Sequence, residues 1–403
     1  MATLTGVKVE DGREAGEAAG ERPAVAFVVT QSGARANGGV ESITQVLERL
    51  RGVRPLVLTQ SESPFSRRWR DAGARVEVWP MRSPGVAALV RNNLRMFRLV
   101  REEGCRVVHC NDIHALWQTG FGARAAGASV VFNVRNIKPP GQIYGRRWRL
   151  ARGLSTRQLV LSKEMAEQFA RRLGVGGSRD GAAGVEYIYS AVDARRFSPA
   201  GAAERAALRE RLGIGAGCFA VGVVGAFEPR KGQLEFITEA VPRIRRLVPS
   251  ARVFFVGDFD PVENVYARRC LDAAGASGAS GSVSFVGYTD EVADWHRALD
   301  LSVVASRNEG LARCMIEALA CGSPVVSFDV CSAREILEGR GCGLVVEAGD
   351  YGALAEAVAS LASDAGARAR LGASGARAAR ELFDPSEVVR AYERLYLSLA
   401  RLS

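Results

Sequence analysis

Hydrophobic and polar positions along this chain follow two rhythms that take turns. A β-branched run such as "AVAFVVT" (24–30) is followed by a glycine-containing loop. Next comes a stretch with apolar residues at helical spacing, "VESITQVLERL" (40–50). The alternation recurs, with strands expected near 55–59, 75–79, 106–110, 129–133 and 158–161. "AVDARRFSPAGAAERAALRERLGIGAG" (191–217) breaks it with proline, glycine and a charged helix. It restarts with "FAVGVVGAF" (219–227), "ARVFFVGDF" (251–259), "SVSFVGY" (282–288), "LSVVAS" (301–306) and "SPVVSF" (323–328). Apolar strands alternating with helices predict parallel sheets covered on both faces. The expected fold is therefore α/β, two Rossmann-like doubly wound domains facing across a cleft. The expected divisions are a tail over 1–22, domains over 23–198 and 199–384, and a terminal helix over 385–403 that returns to the N-terminal domain. Ligands of such sheets bind beyond the carboxyl ends of the strands.

Composition changes this picture only at the edges. A length of 403 residues suits two domains, and 47% apolar residues suffice for buried cores. No apolar run reaches the roughly 18 residues of a membrane span. The tail "MATLTGVKVEDGREAGEAAGERP" (1–23) is acidic, rich in Gly and Ala, and carries no h-region, so it reads as unstructured and not as a signal peptide. Eight cysteines without a Cys-x-x-Cys pair suggest reduced thiols and a cytoplasmic location.

Charge is more informative. The net value is +10, yet residues 66–157 alone hold 18 Lys and Arg against 5 Asp and Glu, an excess of 13. Trp69 and Trp148 sit inside the clusters "SRRWR" (66–70) and "GRRWRLARGL" (145–154). One reading is a solvated surface; the other is a patch for an anionic membrane or an anionic acceptor. Nucleic acid is not expected, because no helix-turn-helix, zinc-finger or RRM signal accompanies the charge.

Three loops at strand ends carry residues suited to chemistry. Gly38 and Gly39 stand between a strand and a helix, where bare backbone can approach a ligand and free N–H groups can meet oxygen atoms. The pattern is not Gly-x-Gly-x-x-Gly, which argues against a dinucleotide fingerprint. "VVHCNDIHALW" (107–117) holds two of the three histidines, His109 and His114, with Asn111 and Asp112 between them. No third ligand stands nearby, so a metal is not expected. "GAFEPRKGQLEF" (225–236) places Glu228, Arg230 and Lys231 between a strand ending at Gly225 and a helix. A charged surface turn would look the same, but a forked guanidinium beside a point charge suits a pyrophosphate.

"NEGLARCMIEALACG" (308–322) sets Glu309 and Glu317 either side of an apolar helix. With "HCNDIHA", "AFEPRKG", "IYSAVDARRFSP" (188–199) and "GCGLVVEAGD" (341–350) in this order, the chain resembles a retaining glycosyltransferase of family 4 with the two-domain GT-B fold. The resemblance covers nearly everything after residue 23. It implies an N-terminal acceptor domain and a C-terminal donor domain for a nucleotide-diphosphate sugar, with no metal or other cofactor. It implies that Glu309 contacts donor-sugar hydroxyls and Glu317 the ribose, and a carboxylate does read a vicinal diol. Gly38, Gly39, Gly225, Gly310 and Leu311 join them as donor contacts. Arg230 and Lys231 would stabilise the departing diphosphate. His114 is the further catalytic candidate, and His109, Asn111, Asp112 and Arg135 are expected on the acceptor. Met315, Ile316, Leu319 and Ala320 would pack the helix onto its sheet. Two departures stand out: Leu311-Ala312-Arg313 replaces the usual Phe-Gly continuation, and "SAVD" stands where Asn-Gly-Val-Asp is common.

The expected reaction is retaining transfer of a sugar to an acceptor hydroxyl, in lipid-linked or cell-surface glycan synthesis, with the enzyme docked on the inner membrane face. A soluble metabolite or natural product is the alternative acceptor. A sugar-nucleotide epimerase, a nicotinamide-dependent oxidoreductase and a non-catalytic sugar-nucleotide-binding protein are the alternatives of other classes.

Overall fold

The structure is a computed structural model that describes residues 22–30, 38–81, 85–135, 146–173, 184–277 and 281–402. Residues 1–21 of the expected tail lie outside the described residues. The first sheet contains β1 (Ala24–Val29), β2 (Arg54–Thr59), β3 (Arg75–Val78), β4 (Cys105–Cys110), β5 (Ser129–Asn133), β6 (Arg157–Val160) and β7 (Val185–Tyr187). All seven strands are parallel, in the order β3-β2-β1-β4-β5-β6-β7. The second sheet holds β8 (Phe219–Val224), β9 (Ala251–Val256), β10 (Val283–Gly287), β11 (Leu301–Val304), β12 (Val325–Phe328) and β13 (Gly343–Val346). It too is parallel, in the order β10-β9-β8-β11-β12-β13. β1 is buried throughout, as a central strand with helices on both faces must be. The edge strands β7 and β13 were not foreseen. They are three and four residues long and largely half-buried, so they lack the long apolar run of the central strands.

Chain order reverses between β1 and β4 in one sheet and between β8 and β11 in the other. These two switch points open crevices at the carboxyl ends of their strands. The segments that leave β4, β8 and β11 therefore converge on the space between the domains.

The last helix, Pro385–Ala400, begins where Asp384 accepts hydrogen bonds from the Ser386 and Glu387 N–H groups at 2.9 and 3.1 Å. Its apolar face, from Val388 to Leu399, packs on Val25, Phe27 and Val29 of β1. Tyr396 is fully buried and meets the Phe27 ring edge-on at 5.5 Å. Burial of a ring this size stabilises by about 2–3 kcal/mol. The C-terminal helix thus completes the N-terminal core.

Candidate active site

A cavity of about 1160 Å³ separates the two domains. On its C-terminal wall, β8 leads through Gly225 to a short turn, Pro229–Lys231. Gly232 follows with φ +71°, and a Cβ there would lie 2.3 Å from the Ala305 carbonyl oxygen. Only a glycine lets the turn press against the exit of β11. The Arg307 N–H, 2.8 Å from the Arg230 carbonyl oxygen, ties the two loops together.

This seating brings Arg230 and Lys231 onto Glu309. Lys231 Nζ lies 2.6 Å from Glu309 Oε1, which also accepts from Ser306 Oγ at 2.9 Å. Arg230 Nη1 lies 3.2 Å from Oε2, while its Nε reaches Glu228 at 2.6 Å. Glu309 is only 5% exposed. Burial alone would raise its carboxyl, but Lys231 and Arg230 overcome it and hold Glu309 below the usual carboxylate range. The same exchange raises Lys231, whose burial would otherwise lower it. The result is a compact group at the mouth of a strand in which Glu309 faces two cations, both charged at neutral pH, while Glu228 flanks Arg230.

Gly310 cannot carry a side chain, because a Cβ there would fall 2.0 Å from the Arg135 carbonyl oxygen of the other domain. Ser332, the one non-glycine residue with positive φ among the described residues, sets its Oγ 2.6 Å from the Gly310 carbonyl. After Leu311 and Ala312 the helix Arg313–Ala320 starts, and Met315, Ile316, Leu319 and Ala320 are buried as its spacing requires. On its cavity side, Glu317 Oε1 accepts from Arg313 at 2.8 Å through Nη2 and 3.1 Å through Nε. Arg313 Nη1 reaches across the cleft to Ser42 Oγ and the Ala191 carbonyl, each at 3.2 Å. A cation in the first turn of a helix opposes the helix dipole. Here three acceptors offset that penalty.

The N-terminal wall is built by the starts of two helices. Gly38 and Gly39 open the helix Gly38–Leu47, and a Cβ at Gly38 would meet Arg313 Cδ at 2.9 Å. Asp112 caps the helix Ile113–Ala125 by accepting from the Ala115 N–H at 2.8 Å, and takes a hydrogen bond from Thr30 at 2.6 Å. Arg135 follows β5 and donates to the Gly38 carbonyl at 3.3 Å. Burial draws its guanidinium down to about 10, which leaves it charged at neutral pH.

Ten of the candidate residues therefore line one cavity: Gly38, Gly39, Asp112, Arg135, Gly225, Arg230, Lys231, Glu309, Leu311 and Glu317. Gly310 lies at the contact between the domains. Three candidates lie elsewhere. His109 is inside β4, facing the terminal helix, fully buried, with Nδ1 3.1 Å from the Tyr396 hydroxyl. Burial, then the nearby Arg135 charge, pulls it down to about 3. It is a neutral core residue and no acceptor contact. Asn111 is also fully buried, 3.5 Å from Asn133. His114 is exposed on its helix, Nε2 3.2 Å from the Met81 carbonyl, and does not line the cavity. The expectation that Trp69 and Trp148 sit among arginines at the surface is likewise corrected. Trp69 is buried and donates to Thr44 at 2.9 Å; Trp148 packs on Phe132 and Phe169.

Sequence reasoning missed Ser306, the bridging role of Arg313, and Glu335. Glu335 accepts from the Glu164 N–H at 2.6 Å and from the Tyr189 hydroxyl, and so clasps the domains at a second point. The Arg313–Glu317 spacing of four was a legible signal for a helical pair. Nothing local marks Ser306 or Glu335.

Two facing Rossmann-like domains with a charged group at each switch point define the GT-B class of transferase. Residues 37–196 match the model of Glycosyltransferase Family 4, and residues 218–364 that of Glycosyl transferases group 1. The chain is 30% identical over 374 residues to a GDP-mannose-dependent alpha-(1-6)-phosphatidylinositol monomannoside mannosyltransferase of Mycobacterium tuberculosis, covering 87% of this chain and 92% of that one. It is also 30% identical over 270 residues to a D-inositol 3-phosphate glycosyltransferase of Xylanimonas cellulosilytica, covering 64% and 60%. The fold is shared with Anabaena HepE in complex with UDP and glucose, at a TM-score of 0.78 and 21% identity over 93% of this chain and 99% of that one. The chain belongs to glycosyltransferase family 4 and is a glycosyltransferase.

Proposed function

We propose that this enzyme moves a hexose from a nucleoside-diphosphate sugar to a hydroxyl of a lipid-borne acceptor, with retention of anomeric configuration and no resident metal. The carrying observation is the Glu309–Lys231–Arg230 group in the cavity wall. In this reading the donor lies on the C-terminal domain. Its diphosphate takes the two cations, and Glu309, released from them, turns its oxygens to sugar hydroxyls. Glu317 reads the ribose diol while Arg313 holds it in place. The bond from the anomeric carbon to the phosphate breaks through an oxocarbenium-like state. Arg230 and Lys231 stabilise the charge that grows on the leaving oxygen. The acceptor hydroxyl arrives on the same face, forms the new C–O bond and gives its proton to the departing phosphate. Asp112 and Arg135 stand on the acceptor side. Closure of the domains keeps out water, which would otherwise consume the donor.

The lipid-borne acceptor is supported by the relatives, one of which is named for a phosphatidylinositol mannoside and another, from Rhizobium meliloti, for lipopolysaccharide core synthesis. Among the described residues no helix is long and apolar enough to cross a membrane; a lipid-borne acceptor would be met by peripheral docking on the inner face. Nucleotide is the first thing to test. In a thermal-shift panel of GDP-, UDP- and ADP-sugars, the cognate donor at 100 times its Kd should add about 2.7 kcal/mol of stability. No shift with any of them would overturn the donor assignment.

A further inference from the structure

The cluster around Trp69 does not supply a membrane anchor. Trp69 is in the core, and Arg68 and Arg70 are already paired with Glu41, Glu48 and Glu62. Uncompensated charge lies instead on the helix Val86–Glu103. Ala88, Asn92, Met96, Leu99 and Val100 form its buried face. The opposite side carries an apolar stripe at intervals of four, four and three residues: Val86 at 75% exposure, Val90 at 51%, Leu94 at 54%, and Phe97. Such intervals keep all four on one side of a helix. Arg91, Arg98 and Arg101 flank the stripe, exposed and without an ion-pair partner among the described residues. Glu102 is the acid that adjoins them, and Glu103 is taken up by Arg54 and Arg75.

The helix is held firmly in this pose. Asn92 donates to Gln118 at 2.8 Å, and the Gly122 N–H donates to Asn93 at 2.9 Å. A Cβ on Gly122 would fall 1.9 Å from the Asn93 carbonyl oxygen, so the two helices meet backbone to backbone. The stripe is thus presented by the fold and is not a loosely packed core face. Its start follows β3, on the same rim as the strand ends that open into the cavity. Met81, just before it, contacts His114 in the first turn of the helix capped by Asp112, which lines the cavity.

We propose that this face of Val86–Glu103 is the docking surface for an anionic lipid bilayer, orienting the acceptor side of the cavity toward the membrane. The proposal rests on the lipid-borne acceptor proposed above. Apolar side chains that stand clear of the helix suit the headgroup boundary, and arginines beside them suit lipid phosphates. A second copy fits less well, because it would set three arginines against three in a chain of net charge +10. Nucleic acid would leave the apolar stripe without a partner.

The test uses the full chain in co-sedimentation with phosphatidylcholine vesicles and with vesicles that also contain phosphatidylglycerol. Wild-type protein should bind the anionic vesicles preferentially and lose that preference in high salt. Arg91→Ser/Arg98→Ser/Arg101→Ser should weaken anionic binding by roughly 100-fold, about 5-fold per arginine. Val90→Ser/Leu94→Ser should weaken it by about 10-fold with the charges intact. Both variants should keep the wild-type unfolding midpoint and the wild-type response to nucleotide sugars, since all five residues are exposed. Equal binding to both vesicle types, or variants that bind like wild type, would overturn the proposal. So would self-association in ultracentrifugation that the apolar variant abolishes, since it would assign the face to a second copy. Failed vesicle binding with an intact donor response would remove this docking face alone. Loss of the donor response would instead remove the function proposed above.

Discussion

Replacing Glu309 by glutamine should lower stability and turnover together while strengthening the response to nucleoside diphosphate. The change keeps the volume but removes the one anion that faces both Lys231 and Arg230. Lys231 is the more exposed to this loss in energetic terms: its side chain is only 15% accessible and its Nζ is 2.6 Å from the carboxylate. Arg230 keeps Glu228 and considerable solvent contact. Breaking a buried pair costs about 3–5 kcal/mol, and partial solvation of this one argues for about 2–3. For a domain of about 150–250 residues that is a fall of about 4–12 °C in Tm. The gap should depend on pH with a definite sign. Because the folded-state pKa of Glu309 is lowered, its contribution is present above the usual carboxylate range and disappears as pH falls through the folded value. The variant and the wild type should therefore converge in acid. Nucleoside diphosphate supplies the missing negative charge, so it should raise the variant's Tm more than it raises that of the wild type. Turnover should fall by roughly 10²–10³-fold. Equal stability at neutral pH, with equal shifts on adding nucleoside diphosphate, would refute the account of Glu309 as counter-ion to a phosphate site.

Arg230→Ala and Lys231→Ala should each lower kcat by roughly 10²–10³-fold in steady-state assays, because leaving-group charge grows toward the transition state. Glu317→Ala should chiefly raise the donor KM, as ribose contacts are alike in ground and transition states. Arg313→Leu frees Glu317 and removes the bridge to Ala191, so the donor KM should rise by about 10-fold with kcat within about 3-fold; a collapse of kcat alone would contradict a positioning role. Acid should destabilise the fold well above the carboxylate range. Burial draws His109 and His296 down to about 3, so the unfolded chain takes up two protons near pH 6.5 that the native state refuses. Stability should fall by about 4 kcal/mol between pH 7 and pH 5 for the pair, measurable as a falling Tm.

Much of the architecture was legible because parallel strands covered on both faces must be continuous apolar runs, and eleven of them stand out between their glycine loops. The edge strands β7 and β13 escaped notice because a short edge strand needs no such run. On the donor side, a glycine at a strand end permits close backbone approach, and a forked guanidinium beside a point charge suits a diphosphate, so Gly225 and the Arg230–Lys231 pair were legible in the sequence. The histidine loop misled for a physical reason. His109 and Asn111 are one residue either side of the end of β4, and only the partner across the core, Tyr396, decides that His109 faces inward. That partner comes from the far end of the chain, and no local pattern announces it. The tryptophans misled likewise: an indole among arginines has the same spacing whether its ring faces lipid or Thr44.

The central claim is the transfer of a sugar from a nucleotide with retained configuration, and ¹H NMR of the reaction tests it most directly. The protein is incubated with the nucleotide sugar that stabilises it most, with and without lipid acceptor, and the anomeric signals are followed from the first minutes. Nucleoside diphosphate should be released, and the first-formed glycoside or free sugar should carry the anomeric configuration of the donor. Lys231→Ala should release nucleoside diphosphate and form product roughly 10²–10³-fold more slowly. A sugar that is epimerised or oxidised while still attached to its nucleotide, a product of inverted configuration, or binding without any release would contradict the account.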